Sequence, residues 1–282
     1  MPISIREALQ EAALRLQSVS HIPLREARWL LADILGQSEA WLHDHAADML
    51  PTQAQLRFNE WVARRAIGYP LPYILGKWSF YWWDFSVNEH VLIPRPETEQ
   101  LVERAYQWAL QQSPLKNLRI VDVGTGSGVI ALSLAKLLPQ AAVFGVDVSY
   151  PALQVACLNA QQLAITNCRF IQGDLLSSFG LERPLDLVVA NLPYIPSDDL
   201  KTLDVARYEP RTALDGGVDG LEYIRQLLEQ LPTRLAQSGV CMLEIGAEQG
   251  KIFRRWSDHP YFIFDVQQDL VGRDRFVIVK FK

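Results

Sequence analysis

Two short runs in this sequence combine residue types that can do chemistry. The first is Asp122-Val123-Gly124-Thr125-Gly126-Ser127-Gly128. Its glycines let the backbone turn sharply and come close to a ligand, while the amide groups of a helix starting near Val129 face that ligand. The spacing is GxGxG. Dinucleotide-binding turns use GxGxxG, whose longer approach accommodates a pyrophosphate, so a nucleotide-like ligand lacking pyrophosphate is favoured. The second run is Asn191-Leu192-Pro193-Tyr194-Ile195-Pro196. Amide and exocyclic amino nitrogens are poor nucleophiles because their lone pairs are delocalised, so they must be held by their hydrogens. The Asn191 side-chain oxygen and the Leu192 backbone carbonyl are acceptors for that task. Pro193 fixes the turn, and Tyr194 offers a flat face to a planar group. A bland tight turn and a bland proline-rich loop are the competing readings.

Acids complete the pattern. Asp147 stands at the end of the next strand-like segment, where a carboxylate can accept hydrogen bonds from two ribose hydroxyls. One strand further on, in Gly173-Asp174-Leu175, the Asp174 carboxylate can receive an adenine amino group and Leu175 can pack on the ring. Three acids at the ends of three successive strands, with GxGxG after the first, resemble the S-adenosylmethionine-dependent methyltransferases with a Rossmann-like sheet. That resemblance implies S-adenosylmethionine as cofactor, held by Asp122, Gly124, Thr125, Gly126, Ser127, Gly128, Asp147, Asp174, Leu175 and Asn191. It places Asp122 near the methionine part, although support of the glycine turn would also explain this acid. No acid or base residue is strictly required, because the sulfonium leaving group is already activated and orientation with desolvation can supply most of the catalysis.

The elements that position these runs follow from hydrophobic period. Ile5, Ala8, Leu9, Ala12, Leu16 and Val19 fall at helical spacing. A second helix is expected from Pro23, with Ala27, Leu30, Leu31 and Ile34 buried and Gly36 ending it; helical pattern continues to Ile67. Gly68, Pro70 and Pro72 break the pattern, and Lys77 to Val91 reads as a strand pair. A helix from Glu97 to Leu110 then leads into strands at 118–123, 142–146, 169–171, 185–190 and 240–245 with helices between them. A hairpin over 261–266 and 276–279, turning near Gly272, closes the sheet. The expected fold is α/β: a Rossmann-like, doubly wound, mostly parallel sheet with a closing antiparallel hairpin, plus a small all-α amino-terminal domain. The domains read as 1–75, a helical substrate-docking unit; 76–95, a linker with a β-hairpin; and 96–282, the methyltransferase domain.

Composition narrows the classes. The chain has 282 residues, of which 49% are hydrophobic and 21% charged, as in ordinary globular proteins. No secretory pattern and no run of about 18 apolar residues is visible. The three cysteines, Cys157, Cys168 and Cys241, form no CxxC pair. A cytoplasmic protein without disulfides is expected. The five histidines are scattered, so no metal site is expected. A net charge of -5 favours a protein or small-molecule partner over nucleic acid. The expectation for assembly is a monomer.

The resemblance sharpens beyond the class. Asn191-Leu192-Pro193-Tyr194 is similar to the Asn-Pro-Pro-Tyr signature of methyltransferases acting on planar nitrogens. Leu192 departs from it, and Asn-Leu-Pro-Tyr is also carried by ribosomal-RNA adenine dimethyltransferases. Other segments separate the two: GYPLPYILG at 68–76 with Phe80, VLIPRPETE at 91–99, EPRTALDGGVDG at 209–220, LEIGAEQG at 243–250 and DLVGRDR at 269–275 resemble the release-factor glutamine methyltransferases. The resemblance implies methyl transfer to the side-chain amide of the glutamine in the Gly-Gly-Gln motif of class-one peptide chain release factors. It makes Asn191, Pro193 and Tyr194 catalytic, has Asn191, Leu192, Pro193 and Tyr194 bind the substrate, and gives the amino-terminal domain a docking role. Arg95, Glu209 and Arg211 shape the mouth or form structural ion pairs. The alternatives are an adenine amino methyltransferase, a nicotinamide-dependent oxidoreductase, for which GxGxxG and catalytic donors are missing, and a non-catalytic module that retains the cofactor fold.

Overall fold

The computed structural model describes residues 3–112, 117–180 and 182–282. The chain divides into two compact units, Met1–Lys77 and Trp78–Lys282.

In the first unit, α1 (Ile5–Leu16), α2 (Pro23–Leu35) and α4 (Thr52–Ala66) pack on one another, with the short helices α3 (Glu39–Asp44) and α5 (Leu71–Leu75) alongside. Ser4 and Glu7 form a reciprocal cap at the start of α1, satisfying two otherwise orphaned amide donors. Ile5, Ala8, Leu9, Ala12 and Leu16 are its buried stripe. Val19 lies beyond the end of α1, in the turn to α2. Gly36 ends α2 at φ 63°, as its type foretells. The Arg65 guanidinium of α4 donates to Glu26 of α2 at 2.7 Å and to the Val19 carbonyl at 2.9 Å, tying α4 to α2 and to that turn. The helical pattern read as continuing to Ile67 is interrupted between Asp44 and Thr52. Pro72 does not break structure: it occupies the first turn of α5, where its missing N–H leaves no bond unmade.

The second unit begins with a small hairpin, β1 (Lys77–Phe80) and β2 (Trp83–Ser86), followed by α6 (Pro96–Leu110). Then come β3 (Arg119–Val123), α7 (Val129–Leu137), β4 (Ala142–Asp147), α8 (Tyr150–Gln162), β5 (Cys168–Gln172) and β6 (Leu185–Ala190). After a long loop the chain continues through α9 (Glu222–Arg234), β7 (Leu235–Glu244), α10 (Gly250–Arg255), β8 (Phe262–Gln268) and β9 (Asp274–Phe281). The seven strands run in the order β5-β4-β3-β6-β7-β9-β8. β9 is antiparallel to β7 and β8, and the remaining pairs are parallel. Both sheet faces are covered. Ile120, Leu187, Val189 and Met242 pack with α6 and α7, while the alternating residues Val121, Val188, Ala190 and Leu243 pack with α9.

Residues 76–95 differ from the linker that was expected. Phe80 and Phe85 are buried in the core beneath α6 and α7. Ser86 exchanges hydrogen bonds with the buried Asn159 amide of α8, accepting from its Nδ2 at 3.1 Å and donating its N–H to its Oδ1 at 2.7 Å. The aromatic residues that signal strands here also supply apolar surface that has to be buried, so the hairpin belongs to the larger unit. β7 is also longer than the expected 240–245. It starts at Leu235, with a register irregularity against β6 that absorbs its polar first half.

Candidate active site

The chain enters the sheet at β3 and proceeds outward to β4 and β5, then returns to place β6 on the other side of β3. This reversal makes a switch point between β3 and β6, where the following loops part and leave a crevice. Val123 pairs with Ala190 in register, so Gly124 and Asn191 emerge side by side from adjacent strands. The two runs singled out from sequence, 67 positions apart, thus meet at one cleft. The open space there, its mouth included, is ≈ 1100 Å³.

The glycine turn forms one wall, with Gly124, Thr125, Gly126 and Ser127 lining the cleft. Its shape is fixed by bonds that its own residue types cannot supply. The Gly124 and Thr125 amides donate to the Val146 carbonyl of β4 at 2.8 and 2.9 Å. The Gly126 amide donates to Asp147 Oδ2 at 2.9 Å, and Ser149 donates its amide to Asp147 Oδ1 at 2.9 Å. Asp147 therefore braces the turn and lines the cleft at once. Burial holds its carboxyl above the ordinary range, opposed by these amide donors. Asp174 and Leu175 line the far end after β5, with Leu175 held at φ 49°, a left-handed conformation costly for a side chain of this kind.

Asp122 and Gly128 do not line the cleft. Strand alternation puts Asp122 on the face covered by α7, completely buried beneath the first turn of that helix. Its Oδ2 accepts from the Thr125 hydroxyl at 2.6 Å and from the Ala131 amide at 3.1 Å, while its Oδ1 has no hydrogen-bond partner among the described residues. Asp122 thus caps α7 in place of Gly128, the N-cap residue, which has no side chain. Of the two readings open from sequence, support of the turn is the one this geometry describes. Burial pushes its carboxyl up to about 7. Gly128 is required by backbone and packing: it has φ 83°, and a Cβ there would meet Ala156 and Leu132 at 3.1 Å.

The second wall is Asn191, Leu192 and Pro193. Leu192 is buried, with a methyl group packed under Gly124, so the residue that departs from proline fills the space between the two runs. The loop after it is held by a short parallel ladder: the Ile195 amide donates to the Leu214 carbonyl at 3.1 Å and the Gly216 amide to the Ile195 carbonyl at 2.8 Å. Gln249 Nε2 donates at 3.0 Å to both the Tyr194 and Gly220 carbonyls. Tyr194 is directed away from this cleft. Its hydroxyl is buried within the field of the Glu244 carboxyl at the end of β7, and burial first of all pushes it up to about 12. The ring is a support rather than a wall of the cleft.

The segment 90–98 also lines the cleft and was only partly legible. His90, Val91, Leu92, Pro94 and Thr98 line it, and none was singled out for the site from sequence. The VLIPRPETE run was the available signal. Arg95, at the mouth, pairs with the buried carboxylate of Glu209, which also accepts the Ile93 amide at 3.0 Å. Arg211 pairs instead with Asp215 at 2.9 Å. Among the described residues no helix is long and apolar enough to cross a membrane.

Comparison with known proteins places both units. Residues 7–76 match the PrmC N-terminal domain family model, and residues 114–255 match a methyltransferase domain model. Among solved structures, the ribosomal protein L11 methylase of Lactobacillus delbrueckii subsp. bulgaricus is similar at TM-score 0.50 and 22% identity. That match covers 69% of this chain and 83% of that one. The catalytic domain of human Mettl16 is similar at TM-score 0.50 and 16% identity, over 81% and 80%. Both speak for the fold alone. The release factor glutamine methyltransferase of Coxiella burnetii is 36% identical over 99% of both chains, that of Moorella thermoacetica 40% over 97% of both, and that of Neisseria gonorrhoeae 38% over 93% of this chain and 95% of the relative. At such identity along almost the whole length of both proteins, this chain belongs to the release factor glutamine methyltransferases.

Proposed function

We propose that this protein transfers a methyl group from S-adenosylmethionine to the side-chain amide nitrogen of the Gly-Gly-Gln glutamine in class-one peptide chain release factors. The observation that carries the chemistry is the register of β3 against β6, which sets Asn191-Leu192-Pro193 beside the glycine turn. The substrate follows from relatives that bear that activity in their names over their full length. The residues present suit this cofactor. Asp147 is a carboxylate acceptor at the end of β4, suited to ribose hydroxyls. Asp174 and Leu175 offer an acceptor and an apolar edge at the purine end, and the tightly braced GxGxG turn suits a ligand without pyrophosphate. S-adenosylmethionine, when bound, supplies an electrophilic methyl group on a positively charged sulfur.

The protein's own part is positioning. The Asn191 Oδ1 and the Leu192 carbonyl accept the two hydrogens of the glutamine amide, which turns the nitrogen toward the methyl group and leaves the planar amide little rotational freedom. Pro193 fixes the direction of that carbonyl, and the Gln249 bond to the Tyr194 carbonyl keeps the loop from swinging. The residues of the 90–98 segment cover the cleft and exclude water. We take the enzyme to act as a monomer in the cytoplasm, on protein rather than nucleic acid, in keeping with its net charge of -5. The test is transfer of labelled methyl groups to purified release factor, to a factor whose Gly-Gly-Gln glutamine is replaced, and to total RNA. Label on the intact factor alone is the expected result; label on RNA would shift the activity to an adenine amino group.

A further inference from the structure

Behind the substrate wall, two buried side chains outside the Asn-Leu-Pro-Tyr run touch Asn191 in series. Asn191 Nδ2 donates to Thr98 Oγ1 at 3.1 Å, and Thr98 Oγ1 donates to Glu244 Oε2 at 2.8 Å. Thr98 is 3% exposed and Glu244 1%. The three residues come from three places: Thr98 from the first turn of α6, Glu244 from the end of β7 and Asn191 from the end of β6.

We propose that Thr98 and Glu244 are positioning residues that select which end of the Asn191 amide faces the substrate. The proposal rests on the reading of Asn191 Oδ1 as an acceptor for the glutamine amide. A side-chain amide is nearly symmetric in shape, so packing alone cannot tell its oxygen from its nitrogen. A hydroxyl has a single hydrogen. When Thr98 gives that hydrogen to the Glu244 carboxylate, only its lone pairs remain for Asn191, which must then present its NH2 group. Oδ1 becomes the end not committed to Thr98, on a residue that lines the cleft. The flipped amide would present hydrogens to hydrogens at the substrate and an oxygen to a lone pair at Thr98. Both faults lie in a buried setting where unmade bonds are costly.

The direction of the relay depends on Glu244 being ionised. Protonated, Glu244 donates to Thr98, whose hydrogen is then free to turn to Asn191 and stabilise the wrong end. Burial pushes the Glu244 carboxyl up to about 7. The groups that face it are Thr98 and Glu97 of α6, Arg275 of β9 and Tyr194 of the loop after β6. Thr98, Arg275 and Tyr194 favour the carboxylate, and Glu97 opposes it. The relay therefore loses its direction, and kcat falls, as Glu244 takes up a proton near neutrality.

The experiment compares Thr98→Val, Thr98→Ser, Glu244→Gln and Asn191→Ala in methyl transfer to saturating release factor, with cofactor affinity measured by calorimetry. Valine keeps the shape and removes the hydroxyl. A fall in kcat of about tenfold or more is expected, with KM for the factor and cofactor affinity within about threefold. Serine restores most of the loss. Glutamine at 244 can face Thr98 with either end, so kcat falls and the acid limb flattens. That arm, with the wild-type profile, decides the matter should the valine variant not fold. Wild-type kcat in Thr98→Val, equal losses in the valine and serine variants, or an unchanged acid limb in Glu244→Gln would each overturn the relay. An Asn191→Ala enzyme of undiminished kcat would instead remove the acceptor role on which the relay rests.

Discussion

Alanine at position 220 should slow methyl transfer far more than it weakens cofactor binding. Gly220 has φ +75°, and a Cβ built there would lie 2.3 Å from the Tyr194 carbonyl oxygen, 3.0 Å from its carbonyl carbon and 2.8 Å from Gln249 Nε2. Contacts of a real Cβ below 3.0 Å are essentially never seen, so the carbonyl has to retreat by at least 3.0 − 2.3 = 0.7 Å. It cannot do so alone. The Ile195 amide next to it is bonded to Leu214, and Gln249 bridges the same carbonyl to Gly220. The shift therefore passes back along the chain to Pro193 and Asn191. Misplacement of a reacting group by about 1 Å costs on the order of 10²-fold in rate. The left-handed backbone adds about 1–2 kcal/mol of destabilisation for any alanine. Gly272→Ala separates these two effects: it has φ +81° but no heavy atom within 4 Å of the new Cβ, so it bears the backbone cost without the push. Rates at saturating release factor, cofactor affinity by calorimetry and urea melts on both variants make the comparison. We expect the melt to shift in both variants and further in Gly220→Ala, cofactor affinity to stay within about threefold, and kcat to fall about a hundredfold in Gly220→Ala alone. Unchanged kcat in Gly220→Ala, or an equal loss in Gly272→Ala, would refute the reasoning.

Asp147→Ala removes the acceptor that braces Gly126 and Ser149 and faces the cleft. At about 1.5–3 kcal/mol for bonds to a charged group, cofactor affinity should fall roughly 10- to 100-fold, and calorimetry showing no change would dismiss the assignment. Asp122→Asn keeps an acceptor for Thr125 and Ala131 and removes the charge. The Asp122 carboxyl is raised in the fold from 3.8 to about 7, so the wild type loses stability as pH rises from about 4 to 7 and no further above it. The variant should lack that loss, gaining on wild type by pH 8 but not at pH 4. Parallel denaturation curves at both pH values would show the opposite. In the first unit, Glu26→Ala leaves the Arg65 side chain, 14% exposed, with the Val19 carbonyl but no countercharge, at a cost approaching the ~3–5 kcal/mol of a broken buried pair. Hydrogen exchange should report it as lost protection in α2 and α4; unaltered protection would mean that Arg65 finds water instead.

The fold was legible where a single physical demand determined the residue type. Pro23 and Gly36 bound α2 because fixed φ suits a helix start and a left-handed φ its end. The apolar run Leu187-Val188-Val189-Ala190 of β6 demands burial on both faces, hence a central strand. The hairpin at 77–86 was recognised as strands but not as core, because aromatic content says that a surface must be covered without saying by what. The glycine turn and the Asn-Leu-Pro-Tyr run were legible because each needs unusual types in adjacent positions. Asp122 shows the limit: an acid before GxGxG reads the same whether it faces the cofactor or the helix, and strand alternation decides only when the covered face is known. Thr98 and Glu244 lie beyond that limit, since a threonine in an acidic first turn and a glutamate after an apolar strand are each ordinary in sequence. Their significance arises from three strand and helix ends converging on Asn191. Leu192 belongs to the same class of evidence. In sequence it is a departure from proline that loosens a turn. In the fold the turn is held from outside, by the ladder to Leu214 and Gly216 and by Gln249, and the leucine methyl fills the space under Gly124. The rigidity that a second proline would build into the run is here distributed over its neighbours, which is why the substitution leaves the Asn191 end of the run in place beside the turn.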